Sequence, residues 1–179
     1  MLTYVVDAHD RVVDISGPWD TFSAGNAAPA LTRDRVLGTP LLDHVSGPEV
    51  RELTRMLVAR ARRGAVRDLD FRCDAPAERR YLRMALEPEP GGAVRCETTL
   101  VRAEHRPWRQ LIDTAAARSE EVLVACSWCR KILLPDRGFV EVDEAVDAMG
   151  LFLDAPVPRL SHGICRPCRG TMMGDRIRA

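Results

Sequence analysis

The sequence predicts an α+β protein: alternating strand-like runs near its start and middle enclose one helix-period segment, and two Cys-x-x-Cys pairs mark a smaller unit at its end. Its 179 residues suffice for a domain of about 100 residues plus a small appendage. An apolar share of 46% with 29% charged residues is the composition of a chain that builds a core. Basic and acidic residues balance at 26 each, so no net field draws the protein to nucleic acid or an anionic membrane. Lys131 is the sole lysine, a compositional habit of GC-rich genomes.

The elements follow in order. Tyr4-Val5-Val6 and Val12-Val13-Asp14-Ile15 flank the turn-like Asp7 to Asp10 and read as a hairpin. Short helices and turns are expected from Asp20 to Val45. Ser46-Gly47-Pro48-Glu49 starts a helix, with Val50, Leu53, Met56, Leu57 and Ala61 at helical spacing and Arg62-Arg63-Gly64 at its close. Val66 to Cys73, Arg80 to Glu87 and Ala93 to Val101 read as a three-stranded meander, broken at Asp74-Ala75-Pro76 and at Pro88 to Gly92. Cys73 alternates with Leu69 and Phe71, and Cys96 with Val94, Thr98 and Leu100, so both cysteines are expected to face the core.

This order of elements resembles a PAS domain. Val36-Leu37-Gly38 through His44-Val45, the helix after Gly47-Pro48 and the hairpin around Gly91-Gly92 carry the likeness. It implies a sensory or dimerisation domain over residues 1–106, built on an antiparallel sheet with flanking helices. A haem, flavin or metabolite would be compatible with it, and the likeness selects none. Residues 107–121 then read as a connecting helix, with Pro107 at its first position and Trp108, Leu111, Ile112, Ala115, Ala116 and Val122 on one face. That face would either pair with its twin in a homodimer or pack on the sheet.

Residues 122–179 hold the strongest chemical signal. Cys126-Ser-Trp-Cys129 and Cys165-Arg-Pro-Cys168 are separated by 35 residues. Four thiolates presented two by two suit a tetrahedral structural Zn²⁺ on Cys126, Cys129, Cys165 and Cys168. The gap exceeds the about 15–20 residues of common two-pair sites, so the insert must fold: a strand over Gly138 to Val142, then a helix capped by Asp143 and running from Glu144 to about Leu153. A knuckle, strand, helix and second knuckle resemble a zinc-ribbon or treble-clef module. Trp128, Arg130, Lys131, Ile132 and the run Ser161 to Cys168 are also similar to a C-terminal module of some bacterial PAS-containing signalling proteins. Arg166 and the apolar Leu151, Phe152 and Leu153 depart from that pattern.

His162 lies three residues before Cys165, but four cysteines already fill a structural site. Its expected job is a hydrogen bond to a thiolate or to backbone. Arg130 and Arg169 stand where covalent haem attachment needs His. A thioredoxin-like dithiol would want a helix directly after Cys126, where Pro135 and turn residues leave little room.

No phosphate loop, Gly-x-Ser-x-Gly elbow or His-Glu-x-x-His run is present, and His9, His44 and His105 are scattered, so no enzyme activity is expected. From Glu120 onward eight basic residues face nine acidic ones, and a Zn(Cys)4 group adds about −2. That balance disfavours a phosphate-tracking surface, and Arg130, Lys131, Arg166 and Arg169 then serve to offset thiolate charge. Met1 to Asp10 show no secretory pattern, and no apolar run reaches the about 20 residues of a bilayer span. The sequence-level expectation is a cytoplasmic, non-enzymatic signalling protein. No kinase, cyclase or helix-turn-helix segment follows, so its expected output is contact with a protein partner. The alternatives are a zinc-dependent nucleic-acid-binding regulator and a thiol redox sensor.

Overall fold

Leu2–Val6 (β1) and Val12–Ser16 (β2) pair antiparallel around a turn that Asp7 organises, its carboxylate accepting the backbone N–H groups of His9 and Arg11. The computed structural model describes residues 1–26, 28–66, 68–151 and 155–174. Trp19–Gly25 (α1), Arg33–Val36 (α2) and a 3-10 turn at Leu41–His44 fill the region where short helices are expected. Pro48–Arg62 (α3) begins with Pro at its first turn and buries Val50, Leu53, Leu57, Val58 and Ala61. Asp68–Arg72 (β3), Glu78–Glu89 (β4) and Ala93–His105 (β5) form the meander, and the five strands order as β2-β1-β5-β4-β3. Every pairing in this sheet is antiparallel.

The sheet's core comprises Leu53, Leu57, Val58, Ala61, Leu69, Leu86, Val94 and Cys96. Cys96 is 1% exposed, as its alternation predicts, and burial pushes its thiol up to about 11. Leu100 departs from the expectation and is 58% exposed. Leu100 keeps the register of the inward residues, paired with Leu82, but burial along β5 ends at Thr98; the extra residue, at Val101, comes after it. Cys73 is half-buried just beyond β3, where its thiol donates to Asn26 Oδ1 at 3.1 Å instead of entering the core.

The connecting helix predicted over residues 107–121 is not formed. A 3-10 turn at Gln110–Ile112 is followed by Arg118–Cys126 (β6). Asp113 folds its carboxylate onto the N–H of Ala115, an Asx turn that competes with helix, and the Arg118 guanidinium donates to the carbonyls of Leu111, Asp113 and Pro158. Leu111 and Ile112 are buried while Trp108 and Val122 are about half exposed, so no single apolar helical face exists. Homodimerisation through such a helix loses its structural basis.

Ile132–Leu134 (β7) and Gly138–Val140 (β8) make a short hairpin, Val142–Met149 (α4) crosses over, and Val157–Gly163 (β9) returns parallel to β6. The second sheet orders as β8-β7-β6-β9. Its core contains Leu111, Leu123, Ile132, Val140, Val142, Ala145 and Val157. α4 starts two residues before the expected Glu144, with Glu141 at its N-cap, and Gly150 in the left-handed conformation ends it. Asp143 therefore makes ion pairs from the first turn instead of capping. The expected helix end at Leu153, and Phe152 with it, lie outside the described residues.

Arg166–Met173 (α5) does not stay with the second sheet. Met172, 1% exposed, enters the core beneath α3, and Arg60 of α3 donates to the Met172 carbonyl at 2.6 Å. Gly47, at φ 87 before α3, lets β9 approach: a side chain there would meet the His162 carbonyl at 3.0 Å.

Candidate metal centre

Parallel pairing of β6 with β9 sets Cys126 opposite Gly163, and Ser127 N–H donates to the Gly163 carbonyl at 2.9 Å. The end of β6 and the turn after β9 are therefore neighbours. Gly163 suits the contact, since a Cβ would lie 2.6 Å from Val124 Cγ1. The first pair sits in a tight turn: Cys126 N–H donates to the Lys131 carbonyl at 2.8 Å and Arg130 N–H to the Cys126 carbonyl at 3.0 Å. Arg130 takes φ 64 to close it. Cys165 is the N-cap of α5 and Cys168 lies in its first turn, where the helix terminus favours negative charge.

The four sulfurs of Cys126, Cys129, Cys165 and Cys168 lie within 4.8 Å of one another. Sγ of Cys165 is 3.7 Å from Sγ of Cys126 and from Sγ of Cys129. A tetrahedral ion with metal–sulfur bonds of about 2.3 Å separates its ligands by about 3.8 Å, whereas a disulfide brings sulfurs to about 2.05 Å. The donor set and its spacing fit one ion. Cys126 and Cys165 are buried, while Cys129 and Cys168 reach solvent on one side.

The electrostatics concentrate negative charge on one thiol of the cluster. Hydrogen bonds from the thiols of Cys129 and Cys168, and from the N–H groups of Cys129 and Cys165, hold Cys126 far below the usual thiol range. Cys129 and Cys168 are pushed up because each would add charge beside the Cys126 thiolate. A divalent ion at the centre removes that opposition. His162 is not in the ligand group, and no hydrogen bond from its ring to a thiolate occurs among the described residues. His162 lies instead at the edge of a cavity beneath α3.

Two features escape sequence reasoning. Trp128, between the first two cysteines, stacks on Phe71 at 5.5 Å, and its indole N–H donates to the Asp70 carbonyl at 2.8 Å. Arg72 N–H in turn donates to the Trp128 carbonyl at 2.9 Å, so the knuckle is stitched to the edge strand β3. The second feature is ionic. Arg72, 7% exposed at its side chain, pairs with the fully buried Asp74 and, at 2.7 Å, with Glu141 at the start of α4. Arg79, Arg106 and Arg109 gather on Asp143 beside it. A large residue inside a Cys-x-x-Cys turn was a signal for the first; the second joins residues too distant in sequence to read.

The fold and site thus define an α+β protein with an antiparallel sheet, fused to a four-cysteine cluster able to hold a metal ion. No protein-family description matches the chain, and no curated protein does. Among solved structures, it is similar to the PAS domain of the Cronobacter turicensis RpfR quorum-sensing receptor, determined in complex with C12:0. That likeness has a TM-score of 0.40 and 12% identity, and covers 56% of this chain and 93% of that one. Among the described residues no helix is long and apolar enough to cross a membrane.

Proposed function

We propose that this chain is a non-enzymatic cytoplasmic regulatory protein, in which a PAS-like sensory domain is clasped by a structural Zn(Cys)4 module and the assembled surface contacts a protein partner. The observation that carries the reading is the four-sulfur cluster, with 3.7 Å spacings at Cys165. Four thiolates close the coordination shell of Zn²⁺, which leaves no position for a reacting water and makes the ion a structural tie. A knuckle after β6, the β7–β8 hairpin and a ligand pair at the start of α5 support a treble-clef-like reading of the module.

The chain's own residues define what the tie accomplishes. Cys126 and Cys129 fix the turn whose Trp128 docks on β3, and Cys165 and Cys168 fix the start of the helix that delivers Met172 to the core of the first sheet. Metal loading therefore governs whether that core is complete. Trp108, Val122 and Leu133 leave apolar surface on the module, and Leu100 and Val101 on β5, as material for a partner contact.

The test is metal content by elemental analysis of protein purified without chelator. One zinc per chain, lost in Cys126→Ser and Cys168→Ser, is the expected outcome. Metal-free protein would remove the reading, and tight, salt-sensitive DNA binding by zinc-loaded protein would replace the partner contact with nucleic-acid recognition.

A further inference from the structure

The four sulfurs of the cluster are not equally placed. Cys126 is 0% exposed and Cys165 4% exposed, and the Cys165 N–H donates to Cys126 Sγ at 3.4 Å, which holds these two together inside. Cys129 and Cys168 are half-buried. Two surface grooves, of about 380 Å³ and about 450 Å³, run up to the cluster, and Cys129 and Cys168 are the residues common to both linings. Each Cys-x-x-Cys turn therefore keeps its first cysteine inside and turns its second toward solvent.

The surroundings of the outer two suit chemistry at sulfur. The smaller groove is completed by Lys131, Phe139, Cys165, Arg166 and Pro167, with no carboxylate in its lining. Lys131 meets Glu141 at 3.8 Å, and Arg166 is exposed. Partly exposed sulfurs in electropositive surroundings are the ones oxidants reach, whereas buried structural cysteines are inert. The two outer sulfurs belong to different pairs and lie within 4.8 Å of each other. A disulfide of about 2.05 Å then asks for a closing movement of under about 3 Å, on the open side of the cluster.

We infer that Cys129 and Cys168 form a reversible oxidation site, at which a peroxide joins the two knuckles through a disulfide that takes over from the metal as the tie of the clasp. The Cys129 thiolate attacks one peroxide oxygen, the O–O bond breaks and hydroxide leaves, giving a sulfenic acid. The Cys168 thiolate attacks that sulfur, the S–O bond breaks, and a second hydroxide leaves as S–S forms. Solvent supplies two protons, so peroxide is reduced to two waters while two thiolates become one disulfide. Cys126 and Cys165 remain as a buried dithiol, too few donors for a tetrahedral Zn²⁺ site. The clasp stays shut, because Cys129 adjoins Trp128 on β3 and Cys168 sits at the start of the helix that carries Met172. The inference rests on the Zn(Cys)4 reading for what the bond replaces, whereas its linkage pattern is read independently of metal content.

The test treats full-length protein with hydrogen peroxide, with zinc measured in every sample, then alkylates free thiols under denaturing conditions and maps linkages by mass spectrometry before and after dithiothreitol. The expected product is a Cys129–Cys168 disulfide, with zinc released, Cys126 and Cys165 alkylated, and the bond reversed by dithiothreitol. The oxidised protein should melt about 8–16 °C above the reduced, chelated one, because the bond closes a loop of about 40 residues. Cys126→Ser, which removes a zinc ligand and keeps the outer pair, should gain the same link and the same shift; Cys129→Ser should gain neither. Disulfides within the pairs, Cys126–Cys129 or Cys165–Cys168, overturn the inference, as do thiols left reduced by peroxide or an oxidised protein that melts with the chelated one. Protein that never held zinc yet forms the Cys129–Cys168 bond removes only the metal reading. Zinc-loaded protein that links within its pairs leaves the metal reading standing and removes this one.

Discussion

Replacing Met172 by Ala tests whether the metal module is part of the sheet domain's core. The side chain is 1% exposed, and it belongs to a cluster otherwise built from α3, β3, β4 and β5. Truncating a buried Met costs about 2–5 kcal/mol through lost transfer energy and the void left behind. A value of about 3 kcal/mol is appropriate, because the side chain is fully buried against α3 and the surrounding core closes only part of the void. For a chain of this size about 1 kcal/mol moves Tm by about 2–4 °C, so the variant should melt about 6–12 °C lower than wild type. The assay is thermal unfolding by circular dichroism and calorimetry with zinc present, repeated after chelation. With zinc a single transition should shift; after chelation the mutation should cost much less, since nothing then holds α5 on the core. A shift under about 1 °C with zinc, or loss of a separate minor transition while the main one stays, would refute the claim that α5 completes the first core.

Other outcomes follow from named contacts. Arg72→Met strips a buried Asp74 of its closest cation and should cost about 3 kcal/mol, the low end for a broken buried pair, because Arg106 remains 3.4 Å from the same carboxylate; urea unfolding reads it. Gly47→Ala forces a side chain onto the His162 carbonyl at φ 87 and should cost about 2–3 kcal/mol in the same assay; an unchanged midpoint would contradict the packing of β9 on α3. Acid stability carries a sign that can be checked at Asp143. Burial opposes its charge, but Arg109, Arg106 and Arg79 outweigh that and hold the carboxyl below its usual value. Its stabilisation is therefore present above the unfolded pKa of about 3.9 and lost as pH falls through the lower folded pKa. Asp143→Asn should be less stable than wild type at neutral pH, with the difference closing below about pH 4. A gap that widens on acidification would reverse the assignment.

Much of this architecture is legible in the chain, and the illegible parts share a cause. The β1–β2 hairpin, α3 and the meander read correctly because alternation, Pro48 and the Gly91-Gly92 turn act locally. Each Cys-x-x-Cys spacing presents its own pair locally, while the parallel pairing of β6 with β9 brings the two pairs together. Residues 107–121 misled because Leu111 and Ile112 have helical spacing, yet Asp113 and Arg118 commit the backbone to a turn and to pairing beside β9. Leu100 misled because alternation marks a face of the strand and not how far along β5 that face is covered. The docking of Trp128 on β3, and of Met172 under α3, joins positions separated by most of the chain. No local pattern encodes such contacts, which is why the sequence suggested a linker where the structure has a clasp.

X-ray absorption at the zinc edge of protein purified without chelator tests the central claim most directly. Four sulfur neighbours at about 2.3 Å with no nitrogen or oxygen ligand, in wild type and in His162→Ala alike, is the predicted result. A shell containing nitrogen or oxygen, or a zinc edge that vanishes while Cys126, Cys129, Cys165 and Cys168 remain as free thiols, would contradict it.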